Sequence, residues 1–514
     1  MKKSFFSSVA GATILISILG VAAKGFGFLR EIIYAGFFGL KSDFESFLVG
    51  YVLPITINTA IVYLGQNFFI PEYSKVKIRE PEKINVFLNR NIWLFSFVGI
   101  IIAFLLFVFS EFIIENYLHN ASPGTRALTL NIFRLLILTI PLNSAYALVS
   151  AYLQAEFRFT PPAIAQLFMN IIVITFVFFF TKVWGIYSIP AGILIGYAVQ
   201  LFYVLWVIRT ELIINPAKIY KNSVISSGIE KSLLFIIFIE VTNQLYIVVD
   251  RYFINSVDKG GIAALNYAIT IYVLPLSIFS FALSSAVFPK VAQLFNSGNM
   301  EELNRQYLKA LKINSFLFIP VAASLVFWGD VFIRIFYQRG SFSASDTVLT
   351  ASLLRIFAYS LIFYSGYSII NKLIFTTGLV GKLLQISAFT LILKILLNFW
   401  LCGQFKQDGL AYSSSICYFF ISAAGYVIVM KRLNFGFSGE LFGGIFINLL
   451  LTLLAAAISF GAQKLIFPGL FLGKFIILAL FGILFTAGSV IIRSDEIGVF
   501  KGIFYDLAGK KKRK

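Results

Sequence analysis

The sequence predicts an all-α integral membrane protein of about fourteen transmembrane helices, arranged as two lobes around a central cavity. Three observations predict this class. Apolar residues make up 59% of the 514 residues and charged residues only 13%, against roughly 25% charged in soluble domains. Apolar runs able to cross a hydrocarbon core of about 30 Å, which takes about 20 residues per helix, recur from one end to the other. Basic connections also alternate with nearly neutral ones along the chain, as the positive-inside rule requires of a correct set of spans.

The opening stretch resembles a secretory signal in having Lys2 and Lys3 before an apolar run. That run continues past Lys24 to Arg30 without a convincing small-residue cleavage site, so it is expected to be retained as a first span at about 6–36. The next spans are expected at about 44–70 and 92–113, the latter continuously apolar from Ile92 to Phe109 where a barrel strand would alternate. Spans at about 127–153, 161–181, 185–208 and 230–254 follow. The remainder lie at about 261–288, 312–336, 346–376, 380–402, 408–430, 441–463 and 469–492. Before the span at 312, Asn299 can cap a short helix with Glu302 three residues on, and Leu303, Tyr307, Leu308 and Leu311 give it an apolar face. It is expected to lie on the cytoplasmic membrane surface.

Loop charge orients the spans. The second, sixth and eighth connections carry Lys75, Lys77, Arg79, Lys83 and Arg90, then Arg209, Lys218, Lys221 and Lys231, then Lys290, Arg305, Lys309 and Lys312. Those between hold little more than Lys41, Arg126, Lys182 and Lys259, and the chain ends in Lys510, Lys511, Lys512, Arg513 and Lys514. Both termini are therefore expected in the cytoplasm, which requires an even number of spans. The expected organisation is an N-terminal lobe over 1–208, a cytoplasmic linker over 209–229, a C-terminal lobe over 230–430, two further helices over 431–492 and a basic cytoplasmic tail over 493–514. The 230–254 helix goes with the first lobe if the halves are seven plus seven. The net charge of +19 then addresses anionic lipid headgroups, not nucleic acid. Cys402 and Cys417 lie in or beside apolar spans, offer no disulfide framework or metal-ligand spacing, and are expected to pack inertly.

Ionisable groups at membrane depth cost roughly 2.5–3.5 kcal/mol each on insertion scales, so they mark cavities or pairs. The first helix carries Lys24, Arg30 and Glu31 among Gly20, Gly25, Gly27, Gly36 and Gly39, a glycine density that permits bending. One reading points Lys24 and Arg30 into a cavity toward an anionic headgroup, Arg30 as a bidentate fork and Lys24 as a point charge. The other pairs Arg30 with Glu31 or Asp43 near the outer face and lets Lys24 snorkel. In the helix at 230–254, Glu240, Gln244 and Arg251 share one face, bordered by Asn243, so that face lines a wet cavity or clasps another helix. Asp250 beside Arg251 is a candidate gate ion pair; simple solvation at the interface is the alternative. Arg355 and Lys394 are further deep cations.

The only histidine is His119, and no Ser-His-Asp set, metal cluster or Walker-type loop is present. Hydrolysis and ATP drive lack the residues they need. The chain is expected not to be an enzyme and to use no cofactor.

Four sets of residues resemble one family. The first is Lys24-Gly25-Phe26-Gly27-Phe28-Leu29-Arg30-Glu31 with Phe38-Gly39 and Asp43. The second is Leu153-Gln154-Ala155-Glu156-Phe157-Arg158-Phe159-Thr160-Pro161-Pro162-Ala163 with Asn170. The third runs from Gln244 and Asp250 through Gly261, Asn266-Tyr267-Ala268, Leu274-Pro275, Phe288-Pro289 and Ser297-Gly298-Asn299. It continues to Pro320 and Phe336-Tyr337-Gln338-Arg339-Gly340-Ser341-Phe342. Asn398 with Gly409-Leu410-Ala411 is the fourth. Together they resemble the MurJ/MviN lipid II flippases of the multidrug/oligosaccharidyl-lipid/polysaccharide exporter superfamily. Glu31 replaces the usual aspartate, Leu53-Pro54-Ile55-Thr56-Ile57-Asn58-Thr59 stands where the family carries adjacent arginines, and Thr270 stands where an arginine is expected.

The resemblance implies fourteen helices in the inner membrane with cytoplasmic termini. It also implies translocation of an undecaprenyl-pyrophosphate-linked disaccharide-pentapeptide from the cytoplasmic to the periplasmic leaflet by alternating access. Lys24 and Arg30 are then expected on the diphosphate, Asn58, Glu240 and Gln244 on sugar or peptide groups, and Glu31, Asp43, Asp250 and Arg251 in gate or ion-pair roles. A lipid-linked glycan is the expected partner, with anionic membrane lipids and envelope-synthesis enzymes as further candidates. The membrane potential or an ion gradient is left to drive the return step. Three other functions remain open: export of another lipid-linked glycan, drug antiport, and a membrane scaffold that transports nothing.

Overall fold

The computed structural model describes residues 9–212, 231–436, 438–466 and 471–492. Lys2, Lys3, Lys218, Lys221 and the 493–514 tail lie outside the described residues, as does nearly all of the expected linker. Among the described residues all regular secondary structure is helical. The chain divides into two compact units, Met1–Ala263 with Arg339–Ser343, and Ala264–Gln338 with Ala344–Lys514.

The first unit begins with α1 (Val9–Phe38), which is one continuous helix despite its glycines. α2 (Ser42–Leu64) runs through a π turn, Gly65–Phe69, into α3 (Ile70–Arg79). The expected second connection is therefore helical as far as Arg79, because nothing between Phe69 and Arg79 breaks a helix once Pro71 sits in the first turn of α3. Lys77 and Arg79 fall in its last turn, where the carbonyl end of the helix favours cations. α4 (Ile84–Val108) and the short α5 (Ser110–Tyr117) come next. α6 (Pro123–Ile137) starts with Ser122 accepting from the Thr125 N–H at 3.3 Å, with Pro123 at its first position. α7 (Thr139–Ala155), α8 (Thr160–Trp184), α9 (Ser188–Val207) and α10 (Lys231–Tyr252) complete the unit.

Its interior is built around α7, whose residues Ile140, Leu148, Val149 and Leu153 are buried with Phe69 of the π turn, Phe87 and Leu88 of α4 and Val204 of α9. The outer faces stay apolar, with Phe104 and Phe179 about two-thirds exposed. In water such surface would drive association; against lipid it needs no partner.

The second unit holds most of α11 (Gly261–Pro275), then α12 (Phe281–Asn296) and α13 (Met300–Tyr337). α14 (Ala344–Ala358), α15 (Leu361–Thr376), α16 (Val380–Arg432), α17 (Gly439–Ile466) and α18 (Phe471–Ile491) follow. Asn299 does cap, accepting from the Glu302 N–H at 3.1 Å. The helix it starts is not a separate surface element, however, but the first turns of α13. No glycine or proline interrupts the ladder before Pro320, and Leu303 and Tyr307 are buried in protein.

Nine helical stretches among the described residues are long and apolar enough to cross a membrane, or ten if α14 and α15, bent by 48° at their junction, form one span. Two of the nine double back. In the run Thr160–Val207, Gly192 packs on Val173 and Gly196 on Met169, so α8 and α9 are antiparallel. Within α16, Lys394 donates to Ser414 at 2.8 Å, Ser413 donates to Asn398 and the Cys417 thiol reaches the Thr390 carbonyl. That register reverses about Lys406, which adopts φ 51°, ψ −127°. Gly409 is required there because a Cβ would overlap the Leu401 carbonyl. Cys402 and Cys417 are buried and not joined in a disulfide.

Candidate functional site

Polar residues spaced along four apolar helices of the first unit converge on one cavity of about 500 Å³. α7 supplies Asn143, Ala147, Ser150 and Gln154, a spacing of four, three and four that keeps them on one face. α2 and its π turn supply Tyr51, Ile55, Val62 and Gln66 on the same principle. From α8 come Pro162, Ala163, Gln166 and Met169, and from α9 Tyr197 and Gln200. A single cation, Arg30 of α1, reaches the wall.

Arg30 is held from two sides. One terminal nitrogen donates to Glu31 at 3.0 Å, and its guanidinium carbon lies 5.6 Å from the Tyr34 ring centroid, one helical turn on. Its Nε is buried without a hydrogen-bond partner. Behind the wall, Asn58 of α2 is buried, donates to Thr139 Oγ1 at 2.9 Å and accepts from Asn143 through its main-chain carbonyl at 2.9 Å. It ties α2 to α7 and thereby positions Asn143. Asn170 of α8 donates to the Ala23 carbonyl at 3.3 Å and ties α8 to α1.

The other expected site residues fall elsewhere in this unit. Lys24 is exposed on α1 and is not on the cavity wall. On α10, Gln244 donates to Glu240 at 2.7 Å, near Tyr63 of α2 and off the wall. Asp43 is exposed in the first turn of α2, where the helix N-terminus favours a carboxylate. Arg251 is buried, donates to the Ile262 carbonyl at 3.2 Å and has Asp250 and Glu45 as its electrostatic neighbours. In the second unit, Thr270 bonds back to the Asn266 carbonyl at 2.8 Å on its own helix.

The sequence reading passed over Glu45, which is only 6% exposed. Its carboxylate accepts from the main-chain N–H groups of Gly260 and Ile262 at 2.9 Å each and of Ala263 at 3.4 Å. It also passed over the neutral wall of tyrosines and carboxamides. The signal for that wall was present in the helical spacing of Asn143, Ser150 and Gln154 along an otherwise apolar segment. At the end of the unit carrying the 156–158 turn, Glu156 accepts from Tyr73 at 2.5 Å and Lys77 at 2.6 Å. Partial burial raises the Glu156 pKa, but these bonds outweigh it and hold the carboxyl below its usual range. Arg158 pairs with Glu211 at 3.0 Å.

Residues 34–485 match the protein family described as "Lipid II flippase MurJ". The chain belongs to the lipid II flippase MurJ family. A probable lipid II flippase MurJ of Borreliella burgdorferi is 25% identical over 429 residues, covering 82% of this chain and 83% of that protein. Among solved structures, a lipid II flippase MurJ in an inward closed conformation superposes with a TM-score of 0.79 at 23% identity, over 94% of this chain and 100% of its own. An inward-facing multidrug resistance MATE family transporter of the MOP superfamily reaches 0.66 at 15% identity, over 80% of this chain and 94% of its own. The fold is thus one that the flippase family shares with MATE transporters. Within that fold, this family member holds its polar cavity in helices α1, α2, α7, α8 and α9.

Proposed function

We propose that this chain translocates lipid II, the undecaprenyl-pyrophosphate-linked precursor of peptidoglycan, from the cytoplasmic to the periplasmic leaflet of the inner membrane. Membership of the flippase family over residues 34–485 carries this reading. It is a transporter and not an enzyme. We place both termini in the cytoplasm from the alternation of basic connections, and assign about fourteen crossings on the same ground.

Arg30 is the proposed contact to the diphosphate. Among the described residues it is the only cation on the cavity wall and its Nε has no partner, and a charge-assisted bond to phosphate would satisfy that donor. Alternating access requires that bound and empty protein prefer different conformations, and an Arg30 Nε–H that gains an acceptor only when loaded provides such a difference. Lys24, Glu240 and Gln244 remain candidates for other stages of the cycle, since none lines this cavity. Anionic lipids and envelope-synthesis enzymes are proposed partners of the basic connections.

Depletion in the native host tests the function. The expected result is lipid II accumulating on the cytoplasmic leaflet; accumulation of a different lipid-linked glycan, or of none, would overturn it. Replacing the chromosomal copy with Arg30→Ala should reproduce that accumulation, and full flipping by this variant would remove Arg30 from the headgroup site.

A further inference from the structure

Away from Arg30, the cavity wall suits a neutral polyhydroxylated group. Among the described residues Arg30 is its only cation and is already paired with Glu31 at 3.0 Å. The remaining polar wall consists of carboxamides and phenols, chief among them Gln66, Gln154, Gln166, Gln200 and Tyr197. A carboxamide presents a donor and an acceptor side by side, which matches vicinal hydroxyls or an N-acetyl group and gives no advantage to an anion. Tyrosine faces add flat apolar surface for sugar C–H bonds together with a polar tip.

Three of these groups await a partner. The side chains of Gln66, Gln166 and Tyr51 make no hydrogen bond with another described residue, although each faces the cavity. By contrast, Gln154 leans on Ser150 at 3.3 Å, and Tyr146 donates to the Pro162 carbonyl at 3.5 Å. Gln66 and Gln166 are exposed and Tyr51 half-buried, so their polar ends are open to water or to a ligand in the cavity.

Shape agrees with chemistry. Tyr51 and Gln66 stand fifteen residues apart on a nearly continuous helix, about 22 Å at 1.5 Å per residue. The cavity is therefore elongated, with Arg30 beside Tyr51 and Tyr197 at one level and the carboxamides extending toward the Gln154 end. Its volume of about 500 Å³ lies within the roughly 300–1,000 Å³ of small-molecule sites.

We propose that the cavity between Arg30 and Gln66 is a saccharide subsite, in which Gln66 and Gln166 hydrogen-bond an N-acetylated sugar attached to the diphosphate that Arg30 contacts. This rests on the lipid-linked glycan reading above and assigns the sugar its own residues.

The test is binding by the full chain in lipid nanodiscs. The probes are undecaprenyl diphosphate carrying an N-acetylated disaccharide, and undecaprenyl diphosphate without sugar. Wild type should bind the glycosylated lipid at least tenfold more tightly. Gln66→Leu and Gln166→Leu should each lose roughly three- to tenfold on the glycosylated lipid, as expected for one hydrogen bond, and stay within twofold on the sugar-free lipid. That retained affinity also reports correct folding, and Tyr51→Phe should repeat the pattern. Equal binding of both lipids by wild type, or equal loss on both lipids in the variants, would overturn the saccharide subsite while leaving the flippase reading intact. Failure of wild type to bind either lipid would overturn both.

Discussion

Removing the Glu45 carboxylate should destabilise the first unit more than any single change on the cavity wall. The side chain is 6% exposed and accepts two main-chain N–H bonds of 2.9 Å, from Gly260 and Ile262, and a longer one from Ala263. In Glu45→Ala the two good donors are buried without acceptors, at about 1–3 kcal/mol each. Arg251 also loses one of its two carboxylate neighbours, leaving a buried charge less compensated. The total is about 3–5 kcal/mol. Glu45→Gln keeps one oxygen, which can still serve Ile262, but turns an NH2 group toward the Gly260 N–H, so about half the loss remains. For a cooperative unit of this size 1 kcal/mol corresponds to about 2 °C. Thermal unfolding of detergent-solubilised protein should therefore fall by roughly 6–10 °C for alanine and 3–5 °C for glutamine. An alanine variant that melts within 1–2 °C of wild type would refute the idea that Glu45 fixes the 260–263 turn to α2.

Four further outcomes follow from local geometry. Gly340→Ala should lower thermal stability by more than about 2 kcal/mol, because φ is +56° there and a Cβ would overlap the Gly36 carbonyl oxygen. Gly25→Ala, with no atom within 4 Å of the added carbon, should be neutral or stabilise α1 by up to about 1 kcal/mol. Glu156 is held below its ordinary range in the folded protein, so its contribution is present above the unfolded value and disappears as pH falls through the folded one. Because Lys77 is half-exposed, that contribution is about 0.5–1 kcal/mol. Glu156→Gln should thus lower the melting temperature at pH 7 and leave it unchanged near pH 3. Lys406→Gly should raise stability by about 1 kcal/mol by relieving the backbone at the α16 reversal, provided thermal melts are compared at equal detergent.

The docking of residues 339–343 shows how a sequence motif can be legible while its purpose is not. Phe336 to Phe342 carried the family resemblance. Only the fold shows that this segment joins the first unit, with the Ser341 N–H donating to the Gly36 carbonyl at 2.7 Å, Lys41 reaching Ser341 Oγ at 3.1 Å, and Phe342 buried. Glycines at 39 and 340 permit the two backbones to approach, since a Cβ on either would overlap the facing carbonyl, that of Ser341 or of Gly36. In the sequence, Gly39 looked like one more residue that lets the first helix bend.

By itself the sequence determined the class of protein, its helical content and its family. These depend on averages: apolar runs set by bilayer thickness, basic connections set by insertion, and motifs spread along the whole chain. It also singled out Arg30, because an arginine in an apolar helix is conspicuous, and the structure puts that side chain on the cavity wall. Tertiary structure decided which polar residues share a cavity. Asn58 was read as a ligand and clasps two helices instead. Gln66 and Gln166, unremarked in the sequence, face the cavity. Glu45, passed over in the sequence, anchors a turn more than two hundred residues away. The physical reason is that a charge in an apolar span has a cost visible from composition alone. The direction of a neutral carboxamide depends on helix rotation and register, and those are set by packing between segments distant in sequence.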